Sequence, residues 1–255
     1  MDEPLPKQYF RFLLGVIQGD LGPSFVNKDF TVNELIGLSL PNSIILGLTS
    51  LAIAAVLGVT LGTISALRQN SAVDYASMSL AVTGISVPNF VVGPVLMLVF
   101  AMTLRWLPTS GWIDGRNGLK ALILPAITLS LPTFAFIARI TRASMLETLR
   151  SDYIRTARAK GLSTPVIIFK HALKGALLPV VSYLGPACAA LVTGSVVVEH
   201  IFAVPGLGTH FIRSATNRDY TLIMGVVIVY SLILIALNFI VDIIYGFLDP
   251  RITYK

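Results

Sequence analysis

The sequence has a single cysteine, Cys188, and only three histidines, His171, His200 and His210. One cysteine excludes a disulfide framework and any Cys-based metal site. The histidines show no ligand spacing such as H-x-x-x-H, so no metal is expected on this chain. Charge is scarce too. Asp, Glu, Lys and Arg make up 13% of the 255 residues, against about 25% in a typical soluble domain. The phosphate-cradling run G-x-x-x-x-G-K-[ST] is missing, so no nucleotide site of that type is expected, and no cofactor. The start, Met1-Asp2-Glu3-Pro4, has neither a basic nor an apolar region of the kind a signal peptide needs.

What fills the space is apolar. Residues 35–67, 75–104, 121–138, 175–198 and 220–241 contain no Asp, Glu, Lys or Arg. A bilayer core of about 30 Å takes roughly 20 apolar residues as helix. Four of the runs exceed that length and the third reaches 18 residues before Arg139, whose long side chain can reach back to the interface. The expected fold class is therefore an all-α membrane protein, a polytopic transmembrane helix bundle with five spans.

Orientation follows from charge. The 68–74 loop, the 139–174 segment and the C-terminal tail, with Asp242 just ahead of it, hold 11 basic and five acidic residues, whereas the alternate segments hold eight of each. Lys and Arg accumulate in cytoplasmic loops, so 139–174 and the tail 249–255 are expected inside and residues 1–34 outside. Topology accounts for the whole net charge of +6, and no nucleic-acid partner is needed. Residues 1–34 have nothing ahead of them to carry them across, so a first transmembrane helix preceding this sequence is expected.

The spans carry helix breakers: Gly84, Pro88, Gly93 and Pro94 in the second, Pro125 and Pro132 in the third, Gly185-Pro186 in the fourth. A proline removes a backbone hydrogen bond, and in lipid such breaks survive where protein or a water-filled cavity re-satisfies the backbone. The set suggests a bundle lining a pathway. Ala187, Ala189, Ala190 and Gly194 would let helices approach closely, with Cys188 as a small packing residue among them. Asp242, near the inner end of the fifth span, is expected to be an interfacial anchor rather than a midplane acid.

Two segments outside the spans carry more information. Residues 151–161 read as a short basic helix that Gly161 can end, and Ser163 or Thr164 with Pro165 restarts a helix. A short helix tethered at both ends between two spans is shaped to press on a partner. On the other side, the run from Val198 to Gly208 is broken at Pro205-Gly206, with apolar residues on both flanks, and leads to Asn217-Arg218-Asp219-Tyr220.

Together these segments resemble the permease subunits of binding-protein-dependent ATP-binding-cassette importers. The family's general loop has Glu-Ala-Ala, three residues, Gly, nine residues, then Ile-x-Leu-Pro. Ala157, Gly161 and Leu173 keep that spacing, while Arg155, Thr156, His171 and Lys174 depart from it. The peptide branch, with its oligopeptide and dipeptide B-type subunits, is more similar. Residues 153–161, 171–173 and 177–179 match its loop. Phe202-x-x-Pro205-Gly206-x-Gly208, Arg218-Asp219-Tyr220, Leu248-Asp249-Pro250-Arg251 and Gly19-Asp20-Leu21-Gly22-Pro23-Ser24 match elsewhere. The resemblance implies a type I permease fold over 35–248, with a cytoplasmic coupling loop 139–174 and an external loop 199–220. It implies a subunit without catalysis of its own, in a bacterial inner membrane. Its partners would be a second homologous permease, two cytoplasmic ATPase subunits that bind ATP and Mg, and an external peptide-binding protein. Tyr153, Arg155, Thr156, Ala157, Arg158, Ala159, Lys160 and Gly161 would then couple to an ATPase. Phe202, Pro205, Gly206, Gly208, Arg218, Asp219 and Tyr220 would gate the outer mouth or meet the binding protein. Nickel, glutathione or another small solute is the alternative cargo within the branch. An ion-coupled secondary transporter would need acids or histidines at midplane, and a membrane hydrolase a nucleophile with its base; the five runs offer neither.

Overall fold

The computed structural model describes residues 4–113 and 115–248. Among them there is no strand, only an isolated bridge between Pro23 and Thr31. The expected tail 249–255, with the last three residues of the Leu248–Arg251 run, falls outside the described residues, as does the side chain of Asp242.

Helix α1 spans Leu5–Ile17 and presents Tyr9, Phe10, Leu14 and Ile17 outward. It lies in the segment read above as external; its one proline, Pro6, sits in the first turn, where it is tolerated, and no glycine precedes Gly15. After a turn, α2 runs over Val32–Leu67, 36 residues and about 54 Å long. It begins three residues before the apolar run because Thr31 and Glu34 close a capping box. Thr31 Oγ1 accepts from the Glu34 N–H and Glu34 Oε2 accepts from the Thr31 N–H.

One face of α2 is lined by small residues four apart: Ser50, Ala54, Gly58, Gly62 and Ala66, all buried. Four-residue spacing keeps them on one face. Against it lies α5, Lys120–Leu149. A Cβ on Gly62 would stand 2.5 Å from the Ala138 carbonyl oxygen, and one on Gly58 2.7 Å from Ile137 Cγ2. Small residues thus let two backbones meet, the usual basis of helix association in lipid. Helix α5 is the centre of the bundle, covered by α2, α3 (Ala72–Ser86) and α9 (Leu178–Thr193). It extends past Arg139 to Leu149, since no Gly or Pro interrupts residues 133–149.

The expected second and fourth spans are bent. Helix α3 stops at Ser86 because Val87, preceding a proline, is extended (φ −97°, ψ 120°). Pro88 then opens α4, Asn89–Leu96, which continues as a π-helix over Met97–Thr103. The two halves meet at 109°. Helices α6 (Asp152–Ala159), α7 (Thr164–Val166), a π-helical turn over Ile167–Ala172 and α8 (Leu173–Ala176) lead into α9 with a 51° bend at Leu177. The fourth span is shorter at its far end than expected: α9 ends at Thr193, and residues 196–202 form a separate helix, α10 (Val196–Phe202). Then come α11, Leu207–Asn217, and α12, Tyr220–Leu248. Among the described residues three helices are long and apolar enough to cross a membrane, or up to five segments if each bent pair is one span. Leu232, Ile235, Phe239 and Ile240 of α12 are exposed apolar side chains, as a lipid-facing helix requires.

Candidate functional site: two clamped ends of one bundle

The two ends of the bundle are built differently. At the basic end, α6 is amphipathic. Ile154 and Ala157 turn inward onto Ala66 of α2, Met145 of α5, and Ile167, Ala172 and Ala176. Tyr153, Arg155, Thr156, Arg158, Ala159, Lys160 and Gly161 are exposed. Of the eight residues singled out in this segment, only Ala157 is therefore buried, and it fixes the helix while the rest face outward. The Tyr153 hydroxyl lies over Gly175, where an added Cβ would sit 2.9 Å from it. Gly161 ends the helix with φ +76° and its N–H donates to the Arg158 carbonyl at 2.9 Å. A left-handed residue at this position is the common helix stop. Helix restart is at Thr164, with Pro165 in the first turn.

At this end the first turn of α3, which the sequence placed in a 68–74 loop, is locked to α5. Arg142 donates from Nε and Nη2 to the two carboxylate oxygens of Asp74, each at 2.7 Å. Asp74 also accepts from the Ser65 hydroxyl and, at 2.9 Å, from the Asn70 N–H. Its residue is 2% exposed. A bidentate guanidinium with the remaining lone pairs satisfied is the arrangement in which a buried pair holds geometry.

At the opposite end α10 and α11 form a hairpin whose turn is organised by Glu199. This side chain is fully buried (0% exposed). Its Oε1 accepts from the Ser43 hydroxyl at 2.7 Å and from the Ser195 hydroxyl, and its Oε2 accepts from the Gly208 N–H at 2.7 Å. Ser43 in turn accepts from the Leu207 N–H at 2.9 Å. The carboxylate and the start of α10 require both glycines of the Pro-Gly-x-Gly turn. A Cβ on Gly206 would lie 2.5 Å from Glu199 Cδ, and one on Gly208 2.4 Å from Val196 Cα and 2.8 Å from Glu199 Oε2. Next to it, Asn42 donates to the Pro205 carbonyl at 2.8 Å and accepts from Trp112 Nε1 at 2.7 Å. Three segments at this end thus meet at one turn of α2.

Asp219 anchors the other side of the hairpin. It is 1% exposed and accepts from the Ser24 hydroxyl at 2.5 Å, the Phe25 N–H at 3.2 Å, the Thr221 hydroxyl at 3.1 Å and the Leu222 N–H at 3.3 Å. Burial pushes its carboxyl up, but the bonds from Ser24, Phe25, Leu222 and Thr221 together outweigh it and hold the group below its ordinary range. His210 on α11 is held below the usual imidazole value by burial and by nearby Arg213.

Of the seven residues singled out here, Phe202, Gly206, Gly208 and Asp219 are buried and shape the hairpin, whereas Pro205, Arg218 and Tyr220 are exposed. Tyr220 is 60% exposed. Glu199, Ser43 and Asn42 were not anticipated. One signal was available: Glu199 is the sole Asp, Glu, Lys or Arg between Lys174 and Arg213.

Bent apolar helices joined by an exposed helix at one end and a pinned hairpin at the other describe a membrane transport component, and the chain belongs to that class. It is a member of the binding-protein-dependent transport system inner membrane component family, whose pattern matches residues 58–254. It is 50% identical over 254 residues to the oligopeptide transport system permease protein OppB of Salmonella typhimurium, covering 100% of this chain and 82% of the relative. It is 47% identical over 252 residues to the dipeptide transport system permease protein DppB of Bacillus subtilis, covering 99% of this chain and 80% of the relative. The fold is similar to that of the MetNI methionine ABC transporter in an inward-facing form, with TM-score 0.64 at 18% identity over 82% of this chain and 95% of the other. It is also similar to a solved amino acid ABC transporter, with TM-score 0.63 at 15% identity over 83% and 92%.

Proposed function

We propose that this chain is the permease subunit of an ATP-driven importer that moves peptides, oligopeptides foremost, across the inner membrane into the cytoplasm. The observation that carries the reading is 50% identity over 254 residues to a permease protein of oligopeptide transport, covering 82% of that relative. In it the chain pairs with a second homologous permease, two ATPase subunits hydrolyse ATP on the cytoplasmic side, and an external binding protein delivers the peptide. The C-terminus is cytoplasmic, in keeping with the charge balance of the loops.

Helix α6 is the element that docks on an ATPase subunit. Its support is geometric: two side chains anchor it, and Tyr153, Arg155, Arg158 and Lys160 are left for a partner. Because α6 packs on Ala66 and Met145, its displacement bears directly on α2 and α5. The α10–α11 hairpin lies at the outer mouth, with Pro205, Arg218 and Tyr220 exposed toward the binding protein. Scarce charge along the helices suits a cargo of varied side chains, with selection left to the binding protein.

The experiment is co-purification through a tag on the C-terminus, with the operon neighbours expressed together. A second permease and two ATPase subunits should come with the chain, and be lost when Gly161 and Arg158 are substituted. Recovery of the chain alone, folded and transporting without ATP, would sink the proposal.

A further inference from the structure

We infer that Glu199 is a positioning residue that fastens the α10–α11 hairpin to α2, so that hairpin and α2 move as one body when the transporter switches. The inference rests on the importer reading only in taking α6 as the element that ATP displaces.

The hairpin packs through apolar side chains on α4, α5 and α12 as well as on α2, but its polar attachment to α2 is concentrated. Glu199 reaches Ser43, 156 residues away in sequence, and Ser43 receives the Leu207 N–H from the far side of the turn. Asn42, the adjacent residue of α2, holds the Pro205 carbonyl. Both arms of the turn therefore end on the same two residues of α2. Among the described residues Glu199 has no cationic partner, and its charge is met by two hydroxyls and one backbone N–H. A buried carboxylate compensated by fixed dipoles tolerates little displacement, because each lost donor leaves an oxygen unsolvated. The turn is also sterically closed around the carboxylate at Gly206 and Gly208, so the hairpin cannot slide along α2 without breaking all of these contacts together.

What α2 does at its other end makes the clamp mechanically relevant. Ser43 and Ala66 lie on one uninterrupted helix, about 35 Å apart along its axis. Ala66 shares a cluster with Ile154 and Ala157 of α6, and Gly58 and Gly62 press α2 onto α5. The Asp74–Arg142 pair ties the same end of α2 to α5 through Ser65. A push on α6 is thus received by a rod already clamped at that end, and the Glu199 clamp delivers it to the hairpin. Coupling through a packed element needs evidence of joint movement, not adjacency alone, and joint movement is what the test reads.

In the complete transporter in lipid nanodiscs, with Cys188→Ala as background, spin labels are placed at Leu38→Cys and Ala203→Cys, both exposed positions. The distance between them is measured without nucleotide and after trapping with ATP and vanadate. One narrow distance, unchanged between the two states, is expected. In Glu199→Ala the distribution should broaden in both states, and peptide uptake should fall by about tenfold or more, from loss of charge-assisted bonds. Ser43→Ala, which removes one donor and the acceptor for Leu207, should broaden it to a smaller degree and serves if Glu199→Ala does not fold. A distance that changes between the states in the unsubstituted clamp overturns the inference, while ATP-driven uptake in the same preparation leaves the importer reading standing. If the complex never responds to ATP, the importer reading fails. The clamp is then decided by the variants alone, and an unchanged distribution in both Glu199→Ala and Ser43→Ala overturns it.

Discussion

Gly161 offers the sharpest separation of backbone from contact effects. Its φ of +76° is in the left-handed region, and an added Cβ would meet nothing within 4 Å. Within the chain, therefore, a side chain at 161 has room, and only the backbone objects. A left-handed conformation costs an ordinary L-residue roughly 1–2 kcal/mol, which is about a 5–30-fold shift in the population of the native turn. Asn bears the conformation more readily than a β-branched residue. The turn has little to hold it against such a cost: helix α6 is eight residues long and buries only Ile154 and Ala157. Membrane insertion involves none of this, so the amount of protein in the membrane should be unchanged. In reconstituted transporter, Gly161→Val should lower peptide uptake about 5–30-fold at limiting ATPase subunit, since apparent affinity scales with the competent fraction. Gly161→Asn should lower it less than about threefold. Gly161→Asp, which adds a charge at the proposed docking helix, should uncouple ATP hydrolysis from uptake. Equal and severe loss in Val and Asn would refute the backbone argument and place the whole effect in contact with the partner. Normal uptake in all three would remove Gly161 from the coupling site.

Other expectations concern the frame. Gly62→Leu must push α5 away at a backbone carbonyl and should destabilise the chain by about 1–3 kcal/mol, read as a lower denaturation midpoint in detergent; an unchanged midpoint contradicts the close approach. Arg142→Met leaves the Asp74 carboxylate buried and should cost about 3–5 kcal/mol, whereas adding Asp74→Leu should recover part of that loss, a non-additivity that a double-mutant cycle measures. For Asp219 the folded carboxyl titrates below its unfolded value, so its stabilisation is fully present above about pH 4 and is lost as pH falls through the folded value. The protection of the Phe25 N–H, which donates to Asp219, measured against its intrinsic exchange rate, should fall over that range, and Asp219→Asn should remove the dependence of protection on pH; protection that changes with pH identically in both would refute the assignment.

The spans were legible because lipid demands long uncharged helices, and helix α6 because Gly161 and Pro165 punctuate it. The peptide branch was legible in runs such as Tyr153–Gly161. Helix α2 began at Val32, not at residue 35, since a capping box outranks the first polar residues of a span. Val87-Pro88 marked a break, but its 109° angle depends on how α4 packs against α5 and α10. Least legible were the clamps. Asp74 and Arg142 counted only as loop charges in the sequence, 68 residues apart. Glu199 stood alone in an apolar run, yet Ser43, one of several serines in α2, carried no mark of being its partner.

The most direct measurement is peptide uptake into proteoliposomes that hold this chain with its second permease and ATPase subunits, with a loaded binding protein outside. Labelled oligopeptide should accumulate only with ATP at the ATPase face and only with the binding protein present. Accumulation driven by a proton or sodium gradient, without ATP, would contradict the account.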